Sequence, residues 1–227
     1  MASRLRLGVL VSGRGSNLEA ILGAIAAGRL AAEARVVVSD RADAPAVALA
    51  RAAQVPVVIL DAGPKPARLD LAAERELLEA LRAHQVELVV LAGFMRILST
   101  AVLEAIAGSI INIHPSLLPA FPGLDAPRQA LDYGVQVSGC TVHFVDPGAV
   151  DGGAIIAQRA VPVHAGDSRD QLAERILAEE HRLLVEVLGW FSAKQVERRG
   201  RRVWINDRSR EGGTGSGMQA AGTAAGE

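Results

Sequence analysis

The chain has little of what identifies disulfide-rich, zinc-finger or nucleic-acid-binding proteins. Its 227 residues include one cysteine, Cys140, which has no second cysteine for an internal disulfide or a cysteine-based zinc site. The 24 lysines and arginines are balanced by 25 acidic residues, so the basic excess typical of nucleic-acid binders is missing. Aromatic residues make up 3% of the chain, which leaves few rings on which bases could stack.

Long apolar runs are also lacking. The most apolar stretch, residues 86–113, is interrupted by Glu87, Arg96 and Glu104, whereas a membrane-spanning helix needs about 20 consecutive apolar residues. The apolar run at residues 7–11 is too short for the core of a signal peptide and is typical of a buried first strand. We therefore expect a cytoplasmic protein that associates with neither membranes nor nucleic acid.

Half of the residues are apolar, and their spacing predicts an α/β fold. In the first half, short β-rich runs alternate with helical patterns, which indicates a parallel sheet with right-handed crossovers. The predicted strands are residues 7–11, 35–38, 55–60 and 88–92, and the predicted helices are 18–28, 47–54 and 71–83.

The second half predicts strands at 110–113, 136–145, 155–163 and 203–205, and a long amphipathic helix at 168–188. Arginines crowd between residues 198 and 202, and we interpret them as a solvated surface. Residues 206–227 are rich in glycine and alanine and are expected to be a disordered tail. Residues 1–205 are expected to form one domain.

A glycine turn lies between the first strand and the first helix. Gly13 and Gly15 precede Ser16, which is predicted to be the N-cap, with Glu19 three residues later as in a capping box. Free backbone N–H groups at such a helix start favour an anion, so Gly15, Ser16 and Asn17 are candidates for binding a phosphate. The alternative is an ordinary tight turn between a strand and a helix.

Dinucleotide binding is a weaker interpretation of the same turn. The acidic residue expected after the second strand is present as Asp40, but Leu18 stands where the fingerprint needs its third glycine.

The most informative stretch is residues 110–115, Ile-Ile-Asn-Ile-His-Pro. The two-residue period of a strand puts Asn112 and His114 on one face, and Pro115 ends the strand. An amide can donate to a developing oxyanion, and an imidazole can carry a proton near neutral pH, so the pair suits acyl chemistry. The alternative is a hydrogen-bonded pair that ends a buried strand.

Two acidic residues further along the chain are candidates for the same site. Asp151 is followed by two glycines and could orient His114 and stabilise its charged form, although an acid in an exposed turn is the alternative. Glu180 lies on the apolar stripe of the last helix, where a charge is costly without a partner. That partner could be a substrate amine or a structural arginine. His143 alternates with Val142 and Phe144 and is interpreted as a core or supporting side chain.

Taken together, these stretches resemble the phosphoribosylglycinamide formyltransferase family, folate-dependent enzymes of purine synthesis. The resemblance runs from about residue 5 to about residue 204 through SGRGSNLEAIL, LAGFMRIL, INIHPSLLPAFPG, TVHFV, DGG, VPVHAGDS and a helix that carries AEEH. It implies a Rossmann-like formyltransferase fold, with a mostly parallel central sheet, helices on both faces and antiparallel elements in the C-terminal half. It also implies transfer of a formyl group from 10-formyltetrahydrofolate to the amine of glycinamide ribonucleotide.

The resemblance implies a role for each matching position. Catalysis would use Asn112 and His114, with Asp151 tuning the histidine, and Glu180 would help to hold the glycinamide substrate. The substrate phosphate would lie on Gly15, Ser16 and Asn17. The folate would be held by Met95, Arg96, Ile97, Leu98, Asn112 and, where the local pattern departs from the family's, Arg68. The N-terminal half would bind phosphate, and the C-terminal half would bind folate and catalyse.

Three alternatives remain at this point. A formyltetrahydrofolate deformylase, which is a hydrolase, shares the Asn-x-His and Asp arrangement but typically has an added N-terminal domain. Methionyl-tRNA formyltransferase carries a C-terminal RNA-binding domain, for which the expected short tail leaves no room. A non-catalytic nucleotide-binding module would leave Asn112, His114 and Glu180 unexplained. We expect no metal, no partner beyond the two small-molecule substrates, and a monomer or homodimer.

Overall fold

The computed structural model of the protein describes residues 4–63, 67–148 and 150–206. A seven-stranded sheet consists of β1 (Leu5–Val11), β2 (Ala32–Ser39), β3 (Val57–Ile59), β4 (Leu88–Leu91), β5 (Ile110–His114), β6 (Val137–Phe144) and β7 (Ile155–Pro162). The helices are α1 (Ser16–Ala26), α2 (Pro45–Ala52), α3 (Leu71–Ala83), α4 (Thr100–Ala105), α5 (Ala126–Tyr133) and α6 (Arg169–Ser192). A separate hairpin consists of β8 (Val196–Arg199) and β9 (Arg202–Ile205).

The strand order in the sheet is β3-β2-β1-β4-β5-β6-β7. Strands β1 to β5 run parallel to one another, whereas β6 pairs antiparallel with β5, and β7 pairs antiparallel with β6. The predicted fold class is therefore confirmed. Because β1 has β2 on one side and β4 on the other, the chain changes direction across the sheet at β1, and a crevice opens at the carboxyl ends of these strands.

Helices cover both faces of the sheet. Successive residues of a strand point to opposite faces, so one strand contributes side chains to the apolar core on each side. In β1, Leu7 and Val9 belong to the core on the side of α1 and α6, whereas Leu10 belongs to the core under α3 and α4. All three side chains are fully buried. This burial on both faces explains why the early strands appear in the sequence as short continuous apolar runs.

The start of α1 differs from the predicted capping box. The N-cap is Gly15, in a left-handed conformation at φ 83°, and Ser16 is the first helical residue, without a side-chain capping bond. Glycine is required there, since a Cβ atom would lie 2.7 Å from the Cβ of Ala46. A capping box does occur at α6, where Ser168 and Gln171 bond reciprocally.

Several boundaries also differ from those predicted. Helix α6 runs to Ser192 rather than to residue 188, and α4 and α5 are short helices that periodicity did not predict. The arginine-rich segment forms a hairpin with β9, where only a strand at 203–205 was expected. Apart from Asn206, the predicted tail lies outside the described residues. Within the described ranges, none of the helices has the length and apolar composition needed to cross a membrane.

Candidate active site

The candidate site begins where the loops after β1 and β4 meet. The backbone N–H of Ser12 donates to the carbonyl of Gly93 at 3.2 Å, and the backbone N–H of Met95 donates to the Ser12 hydroxyl at 2.9 Å. Ser12 is buried. These two bonds attach the loop that carries Met95 to the turn that leads into α1, so the predicted folate and phosphate segments lie side by side.

His114 ends β5 and is 4% exposed. Its Nδ1 lies 3.3 Å from Oδ2 of Asp151, and its Nε2 lies 2.9 Å from the carbonyl oxygen of Phe121. Both oxygens are acceptors, so the doubly protonated ring can donate to both at once. The predicted pairing of His114 with Asp151 is thus present in the structure.

Asn112 faces a second histidine that the sequence did not assign to the site. Antiparallel pairing of β5 with β6 sets Asn112 opposite His143, and Asn112 Nδ2 lies 3.3 Å from His143 Nε2. The Nδ1 of His143 lies 2.8 Å from the carbonyl oxygen of Phe144. Since a carbonyl only accepts, Nδ1 carries a proton, and Nε2 lies 3.3 Å from the Asn112 amide nitrogen and 3.7 Å from Oδ1 of Asp151.

The alternation of Val142, His143 and Phe144 was the one feature of the sequence that bears on where His143 lies. It indicated the face of the strand on which His143 lies, but it could not indicate which strand would pair beside it. His143 therefore has a supporting position, since it orients the Asn112 amide.

Asp151 connects these groups. It has a left-handed backbone at φ 54°, and its Oδ2 accepts the N–H of Gly123 at 2.8 Å. Its Oδ1 lies 3.4 Å from Asn112 Nδ2 and 3.7 Å from His143 Nε2. Burial raises the pKa of this carboxyl, but hydrogen bonds from His143 and Gly123 and the charges of the two histidines outweigh burial, so the net pKa is lowered. The carboxylate is therefore charged at neutral pH.

Glu180 in α6 reaches the phosphate segment. The amide of Asn17 donates to Glu180 Oε2 at 3.3 Å across 163 residues of sequence, and both side chains are buried. Burial raises the pKa of Glu180, and the Asn17 bond opposes this only in part. The second amide atom, Asn17 Oδ1, is buried and has no hydrogen-bond partner among the described residues. The structure thus brings Asn17 and Glu180 together.

The Met95–Leu98 segment lies beside Arg68. The N–H of Ile97 donates to the carbonyl of Ala67 at 2.9 Å, and Arg68 forms an isolated parallel bridge with Ile97. Met95 and Ile97 are exposed, Leu98 is buried, and Arg68 is exposed. The predicted folate arginine therefore does adjoin the predicted folate loop.

Arg96 has a buried partner instead of a free position in the crevice. Its Nε lies 2.6 Å from Oδ2 of Asp40, whose side chain is 3% exposed. Asp40 follows β2 directly, so this ion pair connects the end of β2 to the loop after β4. The acid that would bind a ribose in a dinucleotide site holds the Met95–Leu98 segment here.

A model of the formyl transferase family matches residues 5–188 of the chain. The chain is 41% identical over 198 residues to phosphoribosylglycinamide formyltransferase of Escherichia coli (strain K12), which covers 87% of this chain and 92% of the relative. A crystal structure of glycinamide ribonucleotide transformylase 1 from Symbiobacterium toebii superposes with a TM-score of 0.86. It is 50% identical and covers 91% of this chain and 96% of its own.

A formyltetrahydrofolate deformylase from Pseudomonas syringae shares the fold with a TM-score of 0.83, but it is only 26% identical. The match covers 91% of this chain and 67% of the deformylase chain. The family model and the relatives named as transferases span most of the described residues, including Asn112, His114, Asp151 and Glu180. The protein therefore belongs to the formyl transferase family.

Proposed function

We propose that this chain transfers the formyl group of 10-formyltetrahydrofolate to the amine of 5-phosphoribosylglycinamide. The products are formylglycinamide ribonucleotide and tetrahydrofolate, and the reaction is a step of cytoplasmic de novo purine biosynthesis. The observation that carries the proposal is the cluster of Asn112, His114 and Asp151 at the carboxyl end of β5. The transferase names of the relatives at 41% and 50% identity support it.

The neutral amine attacks the formyl carbon, and the carbonyl electrons move to oxygen to give a tetrahedral oxyanion. The Asn112 amide is the donor for that oxyanion, because its contacts to His143 and Asp151 are 3.3 and 3.4 Å and are readily exchanged for a shorter one. Protonated His114 adds a positive charge beside it. Asp151 stabilises that charge from 3.3 Å.

Collapse of the intermediate breaks the bond between the formyl carbon and the folate nitrogen. The nitrogen of the incoming amine loses a proton, and the folate nitrogen gains one. This proton passes between the two nitrogens through an ordered water, because both ring nitrogens of protonated His114 already donate to Asp151 and Phe121. Holding both substrates in one crevice supplies much of the acceleration.

The two substrates bind at neighbouring segments of the crevice. The start of α1 at Gly15, Ser16 and Asn17 binds the phosphate, and Glu180 holds the glycinamide part beside Asn17. The Met95–Leu98 segment and Arg68 bind the folate, with backbone groups of the segment facing the pterin. The state of assembly, monomer or homodimer, stays a prediction.

The test is incubation of the purified protein with 10-formyltetrahydrofolate, with and without glycinamide ribonucleotide. We expect absorbance changes from tetrahydrofolate formation only when the amine is present, with formylated ribonucleotide as the second product. Release of formate without the amine would identify a hydrolase. Ribonucleotide binding without any turnover would identify a non-catalytic binding module.

The Glu180→Gln variant is expected to bind the ribonucleotide more weakly and yet be more stable at neutral pH. Loss of a charge-assisted hydrogen bond to the substrate should raise KM for glycinamide ribonucleotide about ten-fold or more. Burial raises the pKa of Glu180, so folding at neutral pH disfavours its ionised form, and glutamine removes that cost while keeping an oxygen that accepts from Asn17. Steady-state kinetics and thermal melting measure the two effects.

The pH dependence of the stability gain follows from the raised pKa of Glu180. Below the ordinary value of 4.5, wild-type Glu180 is protonated in both the folded and the unfolded state, so the two proteins should melt alike. As pH rises above 4.5, only the unfolded state ionises freely, and the wild type loses stability relative to the variant. Glu174→Gln, an exposed substitution in the same helix, is the matched control and should change neither KM nor melting. Equal melting of wild type and Glu180→Gln at pH 7 would contradict the prediction.

A further inference from the structure

The β8–β9 hairpin follows α6 and lies against the loop between β6 and β7. Two of its arginines bond to that loop rather than to the hairpin alone, although the sequence indicated a solvated surface for this segment. Arg198 is 28% exposed in its side chain, and Arg201 reaches across 49 residues of sequence. The hairpin also packs on the sheet, since β9 contacts β7.

Arg198 binds the start of the loop. Its two terminal nitrogens donate to the two carboxylate oxygens of Asp146 at 2.8 and 2.7 Å, which is the bidentate geometry of a strong arginine–carboxylate pair. The same guanidinium lies 4.9 Å from the centre of the Phe144 ring. Hydrogen bonding from Arg198 holds the pKa of Asp146 below its ordinary value, so the pair is charged at neutral pH.

Arg201 binds the end of the same loop. Its terminal nitrogen donates to the carbonyl of Gly152 at 3.0 Å, one residue after Asp151. Asp151 has a left-handed backbone, which is unfavourable for a residue other than glycine and persists only where its surroundings hold it. The next glycine, Gly153, lies so close to the Phe144 carbonyl that any side chain would collide with it. The two arginines therefore bind the loop on either side of Asp151, whose backbone is strained.

Phe144 connects the contacts of Arg198 to His143. Its carbonyl accepts from His143 Nδ1, and its backbone N–H donates to the carbonyl of Ala154 at 2.9 Å. Arg198 thus stacks on the residue that orients His143 and pairs with the loop that carries Asp151. The hairpin therefore contacts the residues next to both His143 and Asp151, which both lie beside the Asn112 amide.

We propose that Arg198 and Arg201 are positioning residues for the formyl-transfer reaction, acting through Asp151. They hold the β6–β7 loop so that the Asp151 carboxylate stays within hydrogen-bond distance of His114 and Asn112. This inference rests on the proposed function for its kinetic test. Neither arginine touches the reacting groups, so their loss should affect the chemical step more than substrate binding.

The first experiment replaces Arg198 by methionine, which keeps the length and apolar part of the side chain. We expect kcat to fall about ten-fold, as is typical when a supporting hydrogen-bond partner is lost, while each KM changes less than about two-fold. Arg198→Lys should recover part of the loss, because it restores the charge without the bidentate fork. Asp146→Asn removes the same pair from the loop side and should match Arg198→Met, which guards against a folding defect confined to one variant.

The matched control is Arg199→Met on the same hairpin. Arg199 bonds to Glu197 at 2.6 Å and lies 5.3 Å from the centre of the Trp204 ring, and both partners belong to the hairpin. It should leave kcat and both KM values unchanged. A loss equal to that of Arg198→Met would mean that any damage to the hairpin is enough, and this would overturn the assignment.

A double-mutant cycle with Asp151→Asn decides whether Arg198 acts through Asp151. If it does, Arg198→Met should have no further effect on kcat in the Asp151→Asn background. Multiplying losses would overturn the proposal, as would a kcat for Arg198→Met equal to that of the wild type.

A readout without turnover separates this proposal from the proposed function. Nitrogen-detected NMR signals of the five histidine rings should shift for His114 and His143 in Arg198→Met and stay in place in Arg199→Met. Unchanged ring signals overturn the positioning role, whatever the enzyme catalyses. If the wild type does not formylate glycinamide ribonucleotide, but Arg198→Met still shifts the signals of His114 and His143, the result counts against the proposed function alone.

Discussion

Asn112→Ala is expected to lower kcat for formyl transfer about 100- to 1,000-fold, the usual effect of removing an oxyanion donor. The amide lies among His143, Asp151 and the end of β5, and alanine leaves no donor at that point. KM values should change much less, because the interaction is strongest in the transition state. Stopped-flow or steady-state absorbance with both substrates measures the effect.

Asn206→Ala is a suitable control for Asn112→Ala. Asn206 is an exposed asparagine whose amide bonds to Glu197 in the hairpin, away from the cluster. Its replacement should leave kcat unchanged. A rate for Asn112→Ala within a few-fold of the wild type would remove Asn112 from the mechanism and shift oxyanion stabilisation to His114.

Asp151→Asn is expected to lower kcat about 100-fold or more, because it removes the negative charge that stabilises protonated His114 and keeps its ring in place. Asparagine has nearly the same shape, so the loss reports charge and hydrogen-bond direction rather than packing. Asp132→Asn, on the exposed face of α5, is the control and should behave as the wild type. Full activity of Asp151→Asn would contradict the role of Asp151 beside His114.

The lowered pKa of Asp151 adds a stability test to this variant. A carboxyl whose pKa is lower in the folded state stabilises the fold above its ordinary value of 3.8 and loses that effect as pH falls through the lowered value. The wild type should therefore exceed Asp151→Asn in melting temperature at neutral pH. The difference should shrink as pH falls below 3.8, and a constant difference down to pH 2 would contradict the assignment.

The predicted parts of the site are those that depend on local periodicity. The two-residue period of a strand put Asn112 and His114 on one face, and the pattern of α6 put Glu180 on its apolar stripe. The glycine turn before α1 was visible for the same reason, although the N-cap proved to be Gly15 and not Ser16. Steric contacts between residues close in the chain decide such features, so the features can be predicted from the sequence alone.

Other parts required the register between distant strands. His143 entered the site because the antiparallel pairing of β6 with β5 sets it opposite Asn112. The arginines near residue 200 looked like solvated charge, yet Arg198 pairs with Asp146, 52 residues earlier. Nothing in a run of arginines shows which carboxylate will lie within reach once the chain has folded.

The amino-acid sequence was sufficient for the seven strands of the main sheet, for helices α1, α2, α3 and α6, and for the glycine turn, the Asn-x-His strand and the buried glutamate, since short-range sterics and hydrophobic period decide these. It did not predict α4, α5 or β8. The tertiary structure decided which of these groups touch. Asn17 meets Glu180 across 163 residues, and His114 meets Asp151 only after β6 turns the chain back along β5. Contacts of this kind depend on sheet register and loop closure, which involve the whole chain, so no local pattern contains them.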